Sequence, residues 1–577
     1  MLARTTSRAL LFSTLLALAG CGDDDASTQL DAGIDASAQD GGSDGGPPAS
    51  AVCDELDLAS TPMRTSGLGD APGEVAGDFT VTQLDGSTWT LSERWSGCES
   101  YVFLVHFPGA SGDALFATSL ARLFGEGPRN TRYFFLSYDE SADARRARME
   151  ALRASFEDDL AFWLEGQPEE HAFWRERMHF VTDRATEVQG SVGAHLRSLI
   201  EFASTPGNEV DHPDHGRIGV PAPVAFGIDR AQTWDEADNL APAVGRPPEL
   251  GMAAYLGHFY EYRAALDARL ASEADATIVT LLDERTTGRV FRPEVTLPDA
   301  ATMATFDQLE IDIEITCDEG NPFACSEWDR IADIQICTGT SSDPVAACDQ
   351  RLEIARWITP YWRRGRQRYA IDATPFLALM REGGARRFFV ELGPEWERAT
   401  EWVAKVSLRF RTVGGTPRAT GGARAFVGGA FDATYNTMHP PFSFTPPAGA
   451  TRVELVTILS GHGQTDGDNC AEWCDHRHVF TVNGTALPEI RHEGRIGEDV
   501  GCAVRARDGA IPGQWGNWAQ SRAYWCPGLP VDAVRTDITS RVTVGEENTI
   551  TYAGRFRTDA PRGGDIALSA YVVWYAE

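Results

Sequence analysis

The chain is short of positive charge. It has 51 Lys and Arg against 84 Asp and Glu, so its formal net charge is −33 over 577 residues. A surface of this sign repels phosphate backbones and anionic lipid headgroups, which argues against a nucleic-acid partner. Acidity of this kind favours solubility and names no particular ligand.

Long apolar runs are also scarce. The one at Ala9–Ala19 is too short to span a bilayer. It follows Arg4 and Arg8 and ends at Leu18-Ala-Gly-Cys21, which resembles a bacterial lipoprotein signal peptide with lipidation at Cys21. An ordinary secretory signal is the alternative. Because Gly rather than Asp follows Cys21, we expect an exported, lipid-anchored protein of the outer membrane, with cell-surface exposure left open.

No Cys-x-x-Cys pair occurs, which disfavours the commonest zinc sites. Without Cys21, ten of the eleven cysteines remain, an even number that suits disulfides in an exported protein. Their order suggests five local pairs, namely Cys53–Cys98, Cys317–Cys325, Cys337–Cys348, Cys470–Cys474 and Cys502–Cys526.

Composition divides the chain into a tether and three domains. Residues 1–21 are the signal peptide, and residues 22–52 are Asp, Gly, Ala and Ser with too little apolar surface to fold. Strand and helix patterns alternate over 53–275, which predicts an α/β domain. Short alternating strands then predict two all-β domains at 276–415 and 416–577.

The α/β part weakly resembles the thioredoxin-like (redoxin) fold in its order of hairpin, central strand and late Pro-preceded strand. Where that family carries its redox cysteines, the chain reads Phe107-Pro-Gly-Ala-Ser-Gly-Asp113, so thiol–disulfide exchange is not available there. We expect a module for binding or spacing. His212, Asp214 and His215 suit a solvated loop better than a metal site.

The segment Cys325-Ser-Glu-Trp-Asp-Arg330 packs an acid, an indole and a guanidinium between two strand-like runs. Leu309, Ile311, Ile313 and Ile315 alternate with acids before it, as in a half-buried strand. Read alone, this segment fits an edge-strand salt bridge as well as it fits a tuned carboxylate.

Four motifs in order make the second half of the chain resemble the peptide-N-glycosidase F family. They span roughly residues 290–577 and are Cys325-Ser-Glu-Trp-Asp-Arg330, Ile358-Thr-Pro-Tyr-Trp362, Cys470-Ala-Glu-Trp-Cys474 and Arg522-Ala-Tyr-Trp-Cys-Pro-Gly528. The resemblance implies two adjacent jelly rolls with an active site between them. It also implies hydrolysis of the amide between Asn and the first N-acetylglucosamine of an N-linked glycan.

The resemblance implies Asp329 as the principal catalytic carboxylate and Glu472 as the second. Glu391 is the best match to the third acid, although Glu395 competes because the family's Glu-x-Trp is altered in this chain. Substrate-binding roles are implied for Arg330, Arg522, Trp525, Trp328 and Trp473. No metal and no other cofactor are expected, since carboxylates and water suffice for this hydrolysis.

The chain departs from the family at Gly461-His462-Gly463, where an aromatic residue is replaced, and at Ser326, where an acid is. We expect a monomer acting on N-glycosylated proteins or glycopeptides. A non-catalytic glycan-binding or surface-interaction lipoprotein on the same scaffold is the first alternative. A copper monooxygenase of similar architecture is the second, but His476 and His478 have no matching histidine pair.

Overall fold

The computed structural model describes residues 51–576 except 205–209, 213–215, 219–223, 238, 286–288, 318–327, 339–347, 362–365, 394–401, 416, 464–469, 492–499 and 558. Several predictions concern residues outside this set: the signal peptide, most of the tether, Cys21, Asp214, His215, Cys325 and Glu395. The side chains of His212, Cys317 and Cys470 also lie outside the described part.

Residues 51–275 form an α/β layer, termed the N-terminal layer. Its strands are β1 (Phe79–Thr82), β2 (Thr88–Thr90), β3 (Ser100–His106), β4 (Thr131–Ser137), β5 (Met178–Arg184), β6 (Gln189–Gly190), β7 (Val210–His212), β8 (Gly216–Ile218), β9 (Ala225–Ile228) and β10 (Trp234–Ala237). Its helices are α1 (Ala51–Glu55), α2 (Leu91–Arg94), α3 (Ala110–Phe116), α4 (Ala121–Glu126), α5 (Ala142–Trp163), α6 (Pro168–Arg177), α7 (Ser191–Ser204) and α8 (Ala254–Ser272).

A five-stranded sheet of order β10-β9-β3-β4-β5 is the centre of this layer. β3, β4 and β5 are parallel, while β9 and β10 are antiparallel additions. Every residue of β3 and β4 is buried, as expected for strands covered on both faces by helices. The predicted central strand and following helices are confirmed, whereas the thioredoxin-like assignment stays a prediction.

The long helix α5 begins where the chain supplies a cap. The Ser141 hydroxyl accepts a hydrogen bond from the backbone N–H of Ala144, which satisfies one of the free amides of the first turn. The helix then buries Met149, Leu152 and Phe156 against the sheet. Among the described residues, we find no helix both long and apolar enough to cross a bilayer.

The next part is a β-sandwich, termed the first sandwich. Its elements are β11 (Thr277–Arg285), β12 (Val290–Phe291), β13 (Glu294–Asp299), α9 (Ala300–Met303), β14 (Gln308–Cys317), β15 (Ile331–Thr338), β16 (Gln350–Ile358), β17 (Gln367–Asp372), β18 (Gly383–Glu391) and β19 (Trp402–Arg411). One sheet has the order β11-β19-β14-β17, and the facing sheet contains β12-β18-β15-β16 with β13 also paired to β18.

The predicted alternation of β14 is confirmed. Leu309, Ile311, Ile313 and Ile315 are buried in the core between the two sheets. The intervening acids face α8, where Arg269 pairs with Glu310 at 3.0 Å. The two-residue period thus places one face of β14 in the sandwich and the other against the N-terminal layer.

The remaining residues form the second sandwich. Its elements are β20 (Arg418–Ala430), β21 (Phe442–Phe444), β22 (Arg452–His462), α10 (Cys470–Trp473), β23 (His476–Val482), β24 (Thr485–Ala486), β25 (Ile490–Arg491), β26 (Leu529–Pro530), β27 (Val534–Asp537), β28 (Asn548–Phe556) and β29 (Asp565–Ala576). Its sheets have the orders β20-β29-β22-β27 and β21-β28-β23-β24, with β25 beside β23. Short 3-10 helices lie at Ala185–Glu187, Leu250–Ala253, Thr374–Leu379, Tyr435–Met438, Ala503–Asp508 and Thr539–Arg541.

One strand of the C-terminal part leaves its own sandwich. β26 pairs with β16, so that Leu529 lies opposite Ile358 and Pro530 opposite Trp357. This pairing carries the segment before β26, which contains Arg522 and Trp525, to the edge of the first sandwich. The contact between the sandwiches is therefore built partly from backbone hydrogen bonds.

Three predicted disulfides are present among the described residues: Cys53–Cys98, Cys337–Cys348 and Cys502–Cys526. Cys474 is also disulfide-bonded. The pairs Cys317–Cys325 and Cys470–Cys474 each involve a side chain outside the described part, so their connectivity stays a prediction.

Candidate active site

Asp329 lies just before β15, in a segment held to the end of β16 by Thr359. The Thr359 hydroxyl accepts a hydrogen bond from the Arg330 N–H at 2.8 Å and donates one to the Trp328 carbonyl at 2.9 Å. The Thr359 N–H also donates to the Arg330 carbonyl at 2.9 Å. These bonds fix the backbone on both sides of Asp329. The orientation of the Asp329 side chain then depends on the hydrogen bonds that its carboxylate makes.

A tyrosine connects Asp329 to the second sandwich. The Tyr361 hydroxyl donates to Asp329 Oδ2 at 2.6 Å and accepts from Arg522 Nη2 at 2.9 Å. Arg522 Nη2 also lies 3.6 Å from Asp329 Oδ2. Since Tyr361 and Asp329 belong to the first sandwich and Arg522 to the second, the group exists only where the two meet.

Glu472 is the second carboxylate of this group. It lies on α10, and its Oε1 accepts from Arg522 Nε at 3.2 Å while its Oε2 accepts from the Gly463 N–H at 3.2 Å. Its backbone carbonyl accepts from the Ala523 N–H at 3.0 Å. Arg522 therefore stands between Asp329 and Glu472, and its charge opposes both of theirs.

Every guanidinium nitrogen of Arg522 contacts a protein acceptor. Besides Tyr361 and Glu472, the acceptors are the carbonyls of Asn517 at 2.9 Å and Gln520 at 3.2 Å, both facing Nη1. The side chain is 0% exposed. In this geometry Arg522 organises the carboxylates, and a direct role in binding substrate stays a prediction.

Aromatic rings surround the same guanidinium. Its carbon lies 4.7 Å from the ring centre of Trp473 and 4.8 Å from that of Trp525. Trp525 is buried, stacks on His462 at 4.9 Å and donates its indole N–H to the Gly461 carbonyl at 2.6 Å. A role for Trp525 in stacking on a sugar stays a prediction, because its ring already contacts Arg522 and His462.

The pKa values of Asp329 and Glu472 are both raised above those of free carboxyls. Burial raises the pKa of Asp329, and Arg522 and the Tyr361 hydrogen bond lower it in part. Burial also raises the pKa of Glu472, while Arg522 lowers it and the negative charge of Asp329 raises it further. Burial and the neighbouring Asp329 raise the pKa of Tyr361 well above its usual value, so its phenol remains a hydrogen-bond donor.

Trp328 and Arg330 lie at the rim of the site. The Trp328 side chain is 38% exposed, and the Arg330 guanidinium lies 5.7 Å from its ring centre. Trp473 is half-buried. Trp328 and Trp473 thus present more aromatic surface to solvent than Trp525 does.

Glu391 lies apart from the contacts of Arg522. It ends β18 opposite Asp333 of β15, and its Oε1 lies 3.3 Å from Arg351. Burial, then the carboxylates of Glu353 and Glu391, raise the pKa of Asp333 to about 8. The structure brings Asp329, Glu472 and Arg522 together, whereas Glu391 pairs with Arg351 beside Asp333, so its catalytic role stays a prediction.

Tyr361 was not singled out as a site residue by the sequence, although it lies in the motif Ile358-Thr-Pro-Tyr-Trp362. Gln514 was missed as well. Its Oε1 accepts from the Tyr361 N–H at 2.8 Å, and its Nε2 donates to the carbonyls of Ile511 and Pro527. Membership of Tyr361 in a motif was the available indication; nothing comparable marked Gln514.

His476 and His478 bind protein groups. His476 Nδ1 lies 2.8 Å from His478 Nε2. The other ring nitrogen of His476 contacts the Ala471 carbonyl, and that of His478 contacts the Tyr552 hydroxyl. Burial lowers the pKa of His478 well below its usual value. Within the described ranges no group of three or more His, Cys, Asp or Glu is arranged to hold a metal ion.

Fold and site together define a two-sandwich β protein with a buried carboxylate–arginine–carboxylate group at the contact between the sandwiches. The family model for "Peptide-N-glycosidase F, C terminal" matches residues 431–573. A peptide-N(4)-(N-acetyl-beta-D-glucosaminyl)asparagine amidase F from Elizabethkingia miricola is 27% identical over 273 residues, which is 43% of this chain and 69% of that protein.

Solved structures were compared as well. A crystal structure of a peptide-N(4)-(N-acetyl-beta-D-glucosaminyl)asparagine amidase aligns at a TM-score of 0.41 and 22% identity, covering 52% of this chain and 96% of its own. PNGF-II aligns at 0.41 and 11% identity, covering 54% and 68%. By these sequence matches, residues 431–573, which include Glu472 and Arg522, are similar to the C-terminal part of peptide-N-glycosidase F.

Proposed function

We propose that the protein is an N-glycan amidase. It would hydrolyse the amide between an Asn side chain and the first N-acetylglucosamine, so that a C–N bond breaks and a bond from water oxygen to the carbonyl carbon forms. The products are a glycosylamine and an Asp side chain. The observation that carries this proposal is the chain of contacts Asp329–Tyr361–Arg522–Glu472 across the sandwich contact.

Asp329 is the group proposed to activate water. An ionised carboxylate accepts the proton of the attacking water, and a raised pKa makes it a stronger base than a free Asp. Tyr361 and Arg522 hold its Oδ2, and Oδ1 is the oxygen that we propose faces the water. Because Arg522 stays charged, it also limits how far the two carboxyl pKa values rise.

Glu472 is proposed to act on the other side of Arg522. Its raised pKa suits a carboxyl that exchanges a proton through an ordered water with the leaving nitrogen. Trp328 and Trp473 supply the exposed aromatic surface on which a pyranose ring stacks. Glu391, beyond the contacts of Arg522, remains a proposed third acid.

The decisive experiment is an incubation of the purified chain, from residue 22 onward, with a denatured N-glycoprotein. We expect release of the intact glycan and conversion of its Asn to Asp, with one heavy oxygen incorporated when the water is labelled. Asp329→Asn should lower kcat by about 10²–10⁴-fold, the range for loss of a general base. Asp312→Asn, which alters an acid paired with Arg368 outside the site, serves as the matched control.

A different result would favour the non-catalytic alternative. If no glycan is released and the glycoprotein is nevertheless bound in a manner that Trp328→Ala weakens, the protein is a glycan-binding module. Full activity of Asp329→Asn would contradict the assignment of the water-activating acid.

We also propose that the chain is a monomeric outer-membrane lipoprotein anchored at Cys21. Expression of the full chain in a bacterial host should yield a membrane-associated form with a lipid-modified N-terminus by mass spectrometry. Cys21→Ala should remain unprocessed or become soluble. Lipid modification of the Cys21→Ala chain would contradict the anchor.

A further inference from the structure

Three consecutive residues just before Arg522 are hydrogen-bonded to the N-terminal layer. The Trp518 indole N–H donates to the Ala241 carbonyl at 2.9 Å, and the Ala519 N–H donates to the Pro242 carbonyl at 3.2 Å. In the opposite direction, the Val244 N–H donates to Asn517 Oδ1 at 3.0 Å. Trp518 is 1% exposed, so its hydrogen bond is closed to water, whereas the Val244–Asn517 bond lies at the exposed edge of the contact.

The same short segment holds the guanidinium of the site. The Asn517 and Gln520 carbonyls accept the hydrogen bonds of Arg522 Nη1. Asn517 thus binds the N-terminal layer with its side chain and Arg522 with its backbone. A shift of this residue would move the acceptor that orients Arg522 between Asp329 and Glu472.

The supporting segment of the N-terminal layer is itself fixed. Its loop is closed by a hydrogen bond from the Glu249 N–H to the Leu240 carbonyl at 3.1 Å. The next residue, Leu250, donates its N–H to the Thr118 hydroxyl at 3.0 Å. Leu240 and Ala243 are buried, so the loop is anchored in the core of the layer.

We propose that the N-terminal layer holds Arg522 in its working orientation, and that Asn517 and Trp518 are positioning residues of the site. The inference rests on the proposed amidase function for its kinetic consequences. It gives the α/β layer a definite role: the layer is the fixed support for residues 502–526 of the second sandwich, termed the arginine loop.

A second contact of the layer provides the control. Asp267 of α8 pairs with Arg366 at 2.5 Å and Arg368 at 2.7 Å, which ties the layer to β14 and β17. None of these residues touches Arg522 in the described contacts. Asp267→Asn therefore weakens the attachment of the layer without removing a hydrogen bond of Asn517, Trp518 or Arg522.

The test compares Asn517→Ala, Asn517→Asp and Trp518→Phe with Asp267→Asn in the chain from residue 22 onward. Asn517→Ala removes the side-chain acceptor and keeps the backbone carbonyl, and Trp518→Phe removes the indole N–H and keeps an aromatic ring. Both should lower kcat about 10- to 100-fold with a smaller change in KM, the scale expected when a catalytic group is misplaced. Asn517→Asp, which keeps an oxygen acceptor, should restore most of the activity.

The pH profile adds a readout that loss of stability would not move. Arg522 lowers the pKa values of Asp329 and Glu472, so a displaced Arg522 lets both rise. The acid limb of the kcat profile should therefore move to higher pH in Asn517→Ala and Trp518→Phe, and should stay in place in Asp267→Asn.

Hydrogen–deuterium exchange by mass spectrometry tests the positioning without any activity. The peptide containing residues 517–525 should exchange faster in the first two variants than in the wild type and the control. Unchanged exchange in that peptide together with an unchanged acid limb would overturn the inference, as would equal effects in Asp267→Asn. If the wild type releases no glycan, the proposed function fails, and the exchange result alone still decides the positioning role.

Discussion

At the scale of single residues, the Tyr361 hydroxyl links a carboxylate of one sandwich to a guanidinium of the other. Its hydrogen bond lowers the pKa of Asp329 against the effect of burial. Tyr361→Phe removes that bond, so the Asp329 pKa should rise and the acid limb of the activity profile should move to higher pH. We expect kcat to fall about tenfold or more. Measuring kcat as a function of pH, from about 4 to about 9, checks both the fall and the position of the acid limb.

The control for Tyr361→Phe is Tyr369→Phe. The Tyr369 hydroxyl donates a hydrogen bond of 2.9 Å to the Gly528 carbonyl and none to Asp329 or Glu472 in the described contacts. This variant should lose some stability and keep the wild-type acid limb. An acid limb in Tyr361→Phe that coincides with the wild type would show that Tyr361 does not tune Asp329.

Asp333 offers a prediction about stability. Its pKa of about 8 in the folded chain lies above that of an unfolded Asp, about 3.9. The folded state therefore holds the proton more tightly, and ionisation of Asp333 costs stability as the pH rises from about 4 to about 8. Asp333→Asn avoids this cost, so it should raise Tm by about 2 °C or more at pH 9 and less at pH 5, by calorimetry. An equal effect at both pH values would contradict the raised pKa.

Glu391 and Glu472 can be separated by kinetics. Glu391 is 29% exposed and pairs with Arg351, whereas Glu472 is buried against Arg522. We expect Glu472→Gln to lower kcat about 10²-fold or more and Glu391→Gln to lower it less, because Glu472 contacts Arg522 directly. A loss of kcat in Glu391→Gln as large as in Glu472→Gln would place Glu391 among the acids that act on the amide.

At the scale of elements, the arginine loop is a constrained segment between a disulfide and a strand. The disulfide joins Cys502 to Cys526, which are 24 positions apart in the sequence, and Arg522 and Trp525 lie between them. Strand β26 begins three residues after Cys526. Gln514 closes the loop from inside through the Pro527 carbonyl. The loop is thereby fixed to both sandwiches, and its active-site side chains have little freedom to leave their places.

Replacing both Cys502 and Cys526 with Ala should lower the free energy of unfolding by about 3 kcal/mol, the scale for a bridge of this span. Because the bridge ends beside Trp525, kcat should also fall. Denaturant unfolding measures the first effect and glycan release the second. The bridge Cys53–Cys98 of the N-terminal layer is the control, since its removal should cost stability with less effect on kcat.

At the scale of the whole molecule, the N-terminal layer and first sandwich share a core. Tyr255, Leu256 and Phe259 of α8 belong to the same hydrophobic cluster as the interior of β14. α8 also approaches the second sandwich closely: at Gly509, with φ 103°, an added Cβ would lie 2.5 Å from the Tyr262 ring. Only glycine fits this approach.

The shared core predicts cooperative unfolding of the layer with the first sandwich. A calorimetric scan should show their melting as one transition, and Asp267→Asn should lower it because Arg366 and Arg368 lose a shared counter-charge. Two well-separated transitions for these parts would contradict the prediction. A chain beginning at residue 276 should melt at a lower temperature, since Arg366 and Arg368 would lose the counter-charge of Asp267.

Local patterns predicted much of the fold because they depend on neighbours along the chain. The period of two in β14, for example, depends only on residues two positions apart. Arg366 and Arg368, in contrast, have no ion-pair partner that a local pattern identifies, and the structure pairs both with Asp267. Only the packing of α8 against β17 brings those charges together.

For the site, the motifs that resemble the peptide-N-glycosidase F family indicated Asp329, Glu472 and Arg522, which their residue types alone did not single out. The distances between these residues depend on how the two sandwiches pack and on the pairing of β26 with β16. Patterns of neighbouring residues in the sequence do not predict that packing. The tertiary structure alone decided that Tyr361 joins the group, that Glu391 pairs with Arg351 and that the N-terminal layer reaches the arginine loop. The physical reason is that these contacts join residues far apart in sequence, whose proximity is set by buried surface and register over the whole fold.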